Sequence, residues 1–142
     1  MKKFVKFLAP LMLVLTCAVF FSACKSAPLP TAENLAKVGI ITAVPTVKGQ
    51  YKDGLKQPYA EDFKYEVTML WYKSNTESYN LLKAWLTTNG FAEVRAEFVL
   101  EGQSMAFYTK KGEIYGVAKW WKEPTGQKIR CDFSKENIVG QL

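Results

Sequence analysis

Three short turns near the C-terminal end leave this chain little freedom in how it can fold. Gly102-Gln103, Lys111-Gly112 and Glu123-Pro124-Thr125-Gly126 separate runs in which apolar residues recur at every second position. That is the period of a strand with one face on a core. A two-residue turn at Gly102-Gln103, glycine first as a type II′ turn prefers, pairs Leu100 with Met105 and Phe98 with Phe107. A two-residue turn at Lys111-Gly112 pairs Thr109 with Ile114 and Phe107 with Gly116. A four-residue turn over 123–126 pairs Trp120 with Ile129, Ala118 with Cys131 and Gly116 with Phe133. A slip of one residue in any hairpin would turn its apolar set to the other face.

The expected inward set is Val94, Ala96, Phe98, Leu100, Met105, Phe107, Ile114, Gly116, Ala118, Trp120, Ile129, Cys131 and Phe133. Upstream, Phe63, Tyr65, Val67, Met69 and Trp71 alternate with Lys64, Glu66, Thr68, Leu70 and Tyr72, which predicts a strand over 63–72. Ser74, Asn75 and Thr76 supply N-cap candidates for a helix from Glu77 to about Asn89. Tyr79, Leu82, Trp85 and Leu86 fall on one side of it, and Gly90 ends it. Gly116 and Ala118 are small where that helix must approach the sheet, with Trp85 and Phe133 as fillers. Thr31 can cap a short helix reaching about Lys37. The β-branched run Val38–Val44 reads as a strand ended by Pro45, and 45–62 as a long loop or loose hairpin.

The order strand, helix, four-strand meander predicts an α+β domain, one helix lying on an antiparallel sheet. From Phe63 to about Phe133 this order resembles the cystatin-like fold, in topology alone. Cystatin inhibitors carry a Gln-x-Val-x-Gly loop in the first hairpin of the meander. Here that stretch reads Leu100-Glu101-Gly102-Gln103-Ser104, so protease inhibition is not carried over.

The N-terminus addresses location. Lys2, Lys3 and Lys6 precede an uncharged, mostly apolar run from Phe7 to Phe21, which falls short of the roughly 20 residues a spanning helix needs. Ser22 and Ala23, both small, then precede Cys24. Phe21-Ser22-Ala23-Cys24 resembles the lipobox of bacterial lipoproteins, with Phe in place of the usual Leu. The resemblance implies that residues 1–23 are a signal peptide and that Cys24 becomes the first mature residue, carrying diacylglycerol and acyl lipid. The plain alternatives are an ordinary signal peptide cut nearby and an uncleaved anchor. Lys25 and Ser26 follow where an Asp would imply inner-membrane retention, which points to the outer membrane in a diderm cell. Residues 24–32 then form a lipidated, proline-bearing tether, and 33–142 a single domain.

Losing residues 1–23 leaves 119 residues and lowers the formal charge from +6 to +3. A balance that small, in an exported protein, gives no reason to expect nucleic acid as a partner. Cys17 leaves with the signal and Cys24 takes the lipid. Cys131 remains without a disulfide partner and is most simply a small buried hydrophobe. There is no histidine, hence no His-based triad and no imidazole ligand.

Phosphate-loop, Gly-x-Ser-x-Gly and Cys-x-x-Cys motifs are absent. Among carboxylates, Glu61-Asp62 reads as a solvated loop pair. Glu93 and Glu97, with Arg95 between them, are expected on the outer sheet face as ordinary surface charges. The predicted outer face is more telling. Its register sets Tyr108 opposite Tyr115, Ala106 opposite Val117, Val117 opposite Asp132, Lys119 opposite Arg130, and Trp121 opposite Lys128, with Val99 alongside. So aromatic and apolar a surface, edged by cations, is either covered by the segment 38–58, used for recognition, or a dimer contact. The expectation is a non-enzymatic envelope lipoprotein that binds a protein or glycan partner through Tyr108, Tyr115, Lys119, Trp121, Lys128 and Arg130. It needs no cofactor beyond its lipid. The competing expectations are a cell-wall glycan hydrolase working through Glu61, Glu93 or Glu97, and a binder of small apolar ligands between helix and sheet.

Overall fold

Thr31 starts the first element. In the computed structural model, which describes residues 27–53, 64–123 and 126–139, its hydroxyl accepts the Asn34 backbone N–H at 3.2 Å and caps α1 (Ala32–Ala36). The helix ends one turn later. Gly39, at φ 72°, lets the chain fold back so that Ile40 N donates to Leu35 O and Gly39 N to Ala36 O, both at 3.0 Å. The expected strand over 38–44 is therefore absent. Its β-branched residues serve the core differently: Val38 and Ile40 are almost fully buried in the helix-ending turn and in the extended segment that follows.

Within the expected loop over 45–62, β1 (Gln50–Asp53) forms an edge strand; residues 54–63, Glu61, Asp62 and Phe63 among them, lie outside the described residues. β1 pairs antiparallel with β2 (Val67–Ser74), setting Tyr51 opposite Trp71 with ring centroids 5.3 Å apart. β2 starts later than the predicted strand, although Glu66 N already donates to Phe133 O at 2.8 Å. Asn75 then caps α2 (Thr76–Thr88), accepting the Ser78 N–H at 2.8 Å. Tyr79, Leu82, Trp85 and Leu86 are its buried stripe, as the periodicity predicts.

The remaining strands are β3 (Ala92–Leu100), β4 (Gln103–Lys110), β5 (Ile114–Glu123) and β6 (Gly126–Ser134). The fold is α+β: among the described residues, α2 packs on one antiparallel sheet of six strands in the order β1-β2-β6-β5-β4-β3. The last strand thus lies between β2 and β5, and the meander folds back onto the strand that precedes the helix.

The β5–β6 register is the predicted one, with Trp120 opposite Ile129, Ala118 opposite Cys131 and Gly116 opposite Phe133. The β4–β5 register is not. Lys110 pairs with Ile114, Phe107 with Val117 and Ala106 with Ala118, a slip of one residue. Three residues, Lys111-Gly112-Glu113, make the turn, with Lys111 at φ 54° and Gly112 at φ 67°. That extra residue flips β4. Ala106 and Tyr108 face the helix, while Met105 and Phe107 lie in the cluster on the other face. The β3–β4 turn is Glu101-Gly102, so Leu100 meets Gln103 and Phe98 meets Met105. Two register shifts further along β3, and the exposure of Val94 and Leu100, remove those residues from the expected inward set. The side chain of Ala96 is outside the described residues.

Two clusters result. On the helix side, α1, Val38, Ile40 and Tyr51 join α2, Val67, Met69, Trp71, Ile129, Cys131 and Phe133. The described part of the N-terminal segment, residues 38–53, thus packs with the helix and not across the outer face, against one sequence expectation. What covers part of that face is the C-terminal end. Ile138, 3% exposed, packs with Met105, Phe107 and Val117, flanked by Tyr65, Phe98, Tyr115 and Val139.

Candidate functional site

Beside the Ile138 cluster the outer face opens into a cleft of about 410 Å³, lined by Tyr65, Leu70, Tyr72, Gln103, Lys119, Trp121, Lys128 and Arg130. Strand pairing explains the assembly. One row across the sheet runs Leu70, Arg130, Lys119, Met105, and a parallel row carries Lys128, Trp121 and Gln103. Alternate residues of β2, β6, β5 and β4 share this face because side chains alternate along every strand. Leu70, 3% exposed, forms an apolar part of the lining.

The cations are held in place. Lys128 Nζ stands 4.0 Å from the centroid of Trp121 and 5.5 Å from that of Tyr72; the Arg130 guanidinium lies 5.8 Å from that of Tyr65. Such cation–π contacts orient a positive head. Arg130 Nε also donates to both oxygens of Asp132, each at 2.8 Å. Asp132 is fully buried, so this charge-assisted pair compensates a carboxylate that would otherwise be stranded. Lys119 Nζ comes no closer than 3.9 Å to Asp132, with its side chain only 20% exposed. Burial lowers the Lys119 pKa below the ordinary lysine range; Asp132 offsets part of this, and Arg130 adds to the lowering.

Four of the predicted recognition residues therefore meet in one place: Lys119, Trp121, Lys128 and Arg130. Tyr115 is on the same face but belongs to the Ile138 cluster, and its hydroxyl donates to Gly112 O at 3.0 Å. Tyr108 does not belong to the site. The flip of β4 sets it opposite Gly116 on the helix side, 3% exposed, where burial first, and then Glu93, Cys131 and Glu97, push its phenol up to about 12. The predicted Tyr108–Tyr115 and Ala106–Val117 pairs are lost by the same slip. Tyr65, Leu70, Tyr72 and Gln103 went unidentified as site residues. The alternation of 63–72 does place Leu70 and Tyr72 away from the core, but only the pairing of β2 with β6 brings them to the cations.

Of the carboxylates expected to serve a hydrolase, Glu93 and Glu97 are elsewhere, and Glu61 lies outside the described residues. Glu97 takes a 2.6 Å ion pair from Lys83 of α2, which puts it toward the helix and not on the outer face. Neither it nor Glu93 lines the cleft. The space between helix and sheet is occupied by the core cluster. Cys131 is fully buried there, and burial pushes its thiol far above the ordinary range. No group of three or more metal-ligating side chains occurs among the described residues, and no helix among them is long and apolar enough to cross a membrane. Comparisons with known family models, with curated proteins and with solved structures find no match to this chain.

Proposed function

We propose that this is a cell-envelope lipoprotein, held to the membrane by lipid on Cys24, whose domain is a binding module and not an enzyme. The partner is an envelope protein or glycan, received at the outer-face cleft. One observation carries the reading: Lys119, Lys128 and Arg130 converge with Trp121, Tyr65 and Tyr72 on a concave surface built by the central strands of the sheet. Rigid aromatic area beside oriented cations is the chemistry of recognition hot spots. The export signature supplies the compartment, and the absence of histidine agrees with a role that needs no general base in the catalytic range.

The test is affinity capture from membranes with the wild-type chain and with a Trp121→Ala/Lys128→Ala variant, both residues lying at the half-exposed rim. Loss of a specific captured species, with the thermal melt unchanged, supports the reading. Capture of the same species by both proteins refutes it.

A further inference from the structure

Lys119 has a poorly satisfied charge in the cleft. Its ammonium has three donors, and its polar contact among the described residues is Asp132 at 3.9 Å, beyond hydrogen-bond reach. Asp132 is already engaged, because both its oxygens accept from Arg130 Nε. Arg130 in turn spends only Nε on that carboxylate, leaving its terminal nitrogens for another acceptor. A desolvated ammonium and the open end of a guanidinium thus sit in adjacent positions of paired strands, Lys119 opposite Arg130.

We infer that the cleft is an oxyanion site, taking a sugar-sized molecule through a phosphate or carboxylate group set between Lys119, Arg130 and Lys128. This rests on the reading of the same cleft as the binding surface. Charge supports it: the described side chains place three cations around the opening and one carboxylate, buried and paired, beneath them. Geometry supports it as well. An incoming oxyanion would give Lys119 the acceptor it lacks, so the cost of desolvating that lysine is already met before the ligand arrives. Lys128 is held over two rings, so little side-chain freedom remains to be lost. The volume, about 410 Å³, is in the range of small-molecule sites, and Tyr72 and Trp121 offer apolar contact to a ring.

The experiment uses the full chain in detergent, titrated calorimetrically with glucose 6-phosphate, glucuronate and glucose. One or both charged sugars should bind at least about tenfold more tightly than glucose, and added salt should weaken them, as charge-assisted contacts require. Preference for the first identifies phosphate as the group recognised, preference for the second carboxylate, and either supports the inference. Lys119→Met should lose that preference. Lys128→Gln, at the rim, repeats the test if Lys119→Met fails to fold. Equal binding of glucose, or charged-sugar binding unchanged in both variants, overturns the oxyanion inference. If glucose binding is abolished by Trp121→Ala, the cleft still stands as a binding surface. Silence from all three sugars overturns the inference too, while the capture experiment with the Trp121/Lys128 variant decides the broader reading by itself.

Discussion

Asn89 holds Thr42 by two hydrogen bonds: its Nδ2 donates to Thr42 Oγ1 at 2.8 Å, and its Oδ1 accepts the Thr42 backbone N–H at 3.3 Å. The same Oδ1 accepts from Ile41 N at 2.9 Å, and Trp85 Nε1 donates to the same hydroxyl at 2.9 Å. The C-terminal end of α2 is thereby fastened to the segment that replaces the expected strand.

Asn89→Ala should lower stability by about 2–3 kcal/mol, since several partly buried backbone and side-chain groups lose their partner together. Thr42→Val, which keeps the shape but leaves Trp85 Nε1 and one of the two Asn89 Nδ2 hydrogens without an acceptor, should cost about 1–3 kcal/mol. Urea unfolding with unchanged slope measures both. A loss below a few tenths of a kcal/mol in both variants would show that the fastening contributes nothing.

Arg130→Ala should destabilise the domain by about 3–5 kcal/mol, because Asp132 would keep its charge in the interior with only the distant Lys119. Arg130→Lys should restore little, as an ammonium lacks the guanidinium's planar donor array. Chemical denaturation checks both, and full recovery by lysine would contradict the need for the two-oxygen contact from Arg130 Nε.

Alkaline pH should unfold the protein through its buried phenols. Burial, with Asp53 as a lesser cause, pushes Tyr51 up to about 12, and Tyr108 is raised to the same region from an ordinary value of 10.0. Between those values the folded chain keeps protons that the unfolded chain releases, so stability is full below pH 10 and falls as pH rises toward 12. Lys119 acts in the opposite sense, its lowered value making stability rise with pH up to its ordinary 10.5. Denaturant midpoints should therefore drop across pH 10 to 12, with tyrosinate absorbance from Tyr51 and Tyr108 appearing only as the chain unfolds. Tyr108→Phe should flatten the drop.

Deleting Glu113 would leave the two-residue Lys111-Gly112 turn that the hairpin pattern suggests. Lys110 would still face Ile114 across it, so Ala106 and Tyr108 would stay opposite Ala118 and Gly116 on the helix side. A would-be Cβ on Gly116 already lies 3.4 Å from the Phe133 ring, so the space there is small. The deletion should therefore keep a cooperative melt and native near-ultraviolet circular dichroism; loss of both would show that the β4–β5 register depends on the three-residue turn.

That turn shows what the sequence can and cannot carry. Alternation tells which residues share a face, but its sign is readable only when one face is wet. Here both faces of β4 are buried, one under α2 and the other with Ile138, so both frames set apolar residues against apolar residues. The β5–β6 pairing was legible because Trp120, Ala118 and Gly116 meet Ile129, Cys131 and Phe133 in one frame only, and the four cleft residues on those strands came with it. The helix was legible from Asn75 and its stripe. Tyr65, Leu70 and Tyr72 were not, since their place depends on a pairing between β2 and β6 that no local pattern announces.

The Cys24 proposal has its own measurement. Cys24→Ser should block processing and move the chain out of the detergent phase in partitioning, because stable attachment needs more than one acyl chain. Unchanged partitioning would refute lipidation at Cys24.

The insertion of β6 between β2 and β5 sets a condition on when the site can exist. Arg130 and Lys128 are delivered by the last strand, yet they complete walls whose other members lie on strands made much earlier. A chain still emerging, from a ribosome or through a membrane, lacks the strand that completes the cleft. The cleft is therefore completed in a single late event, when the final strand docks, and a chain cut short before residue 126 is left with β2 and β5 as two open edges.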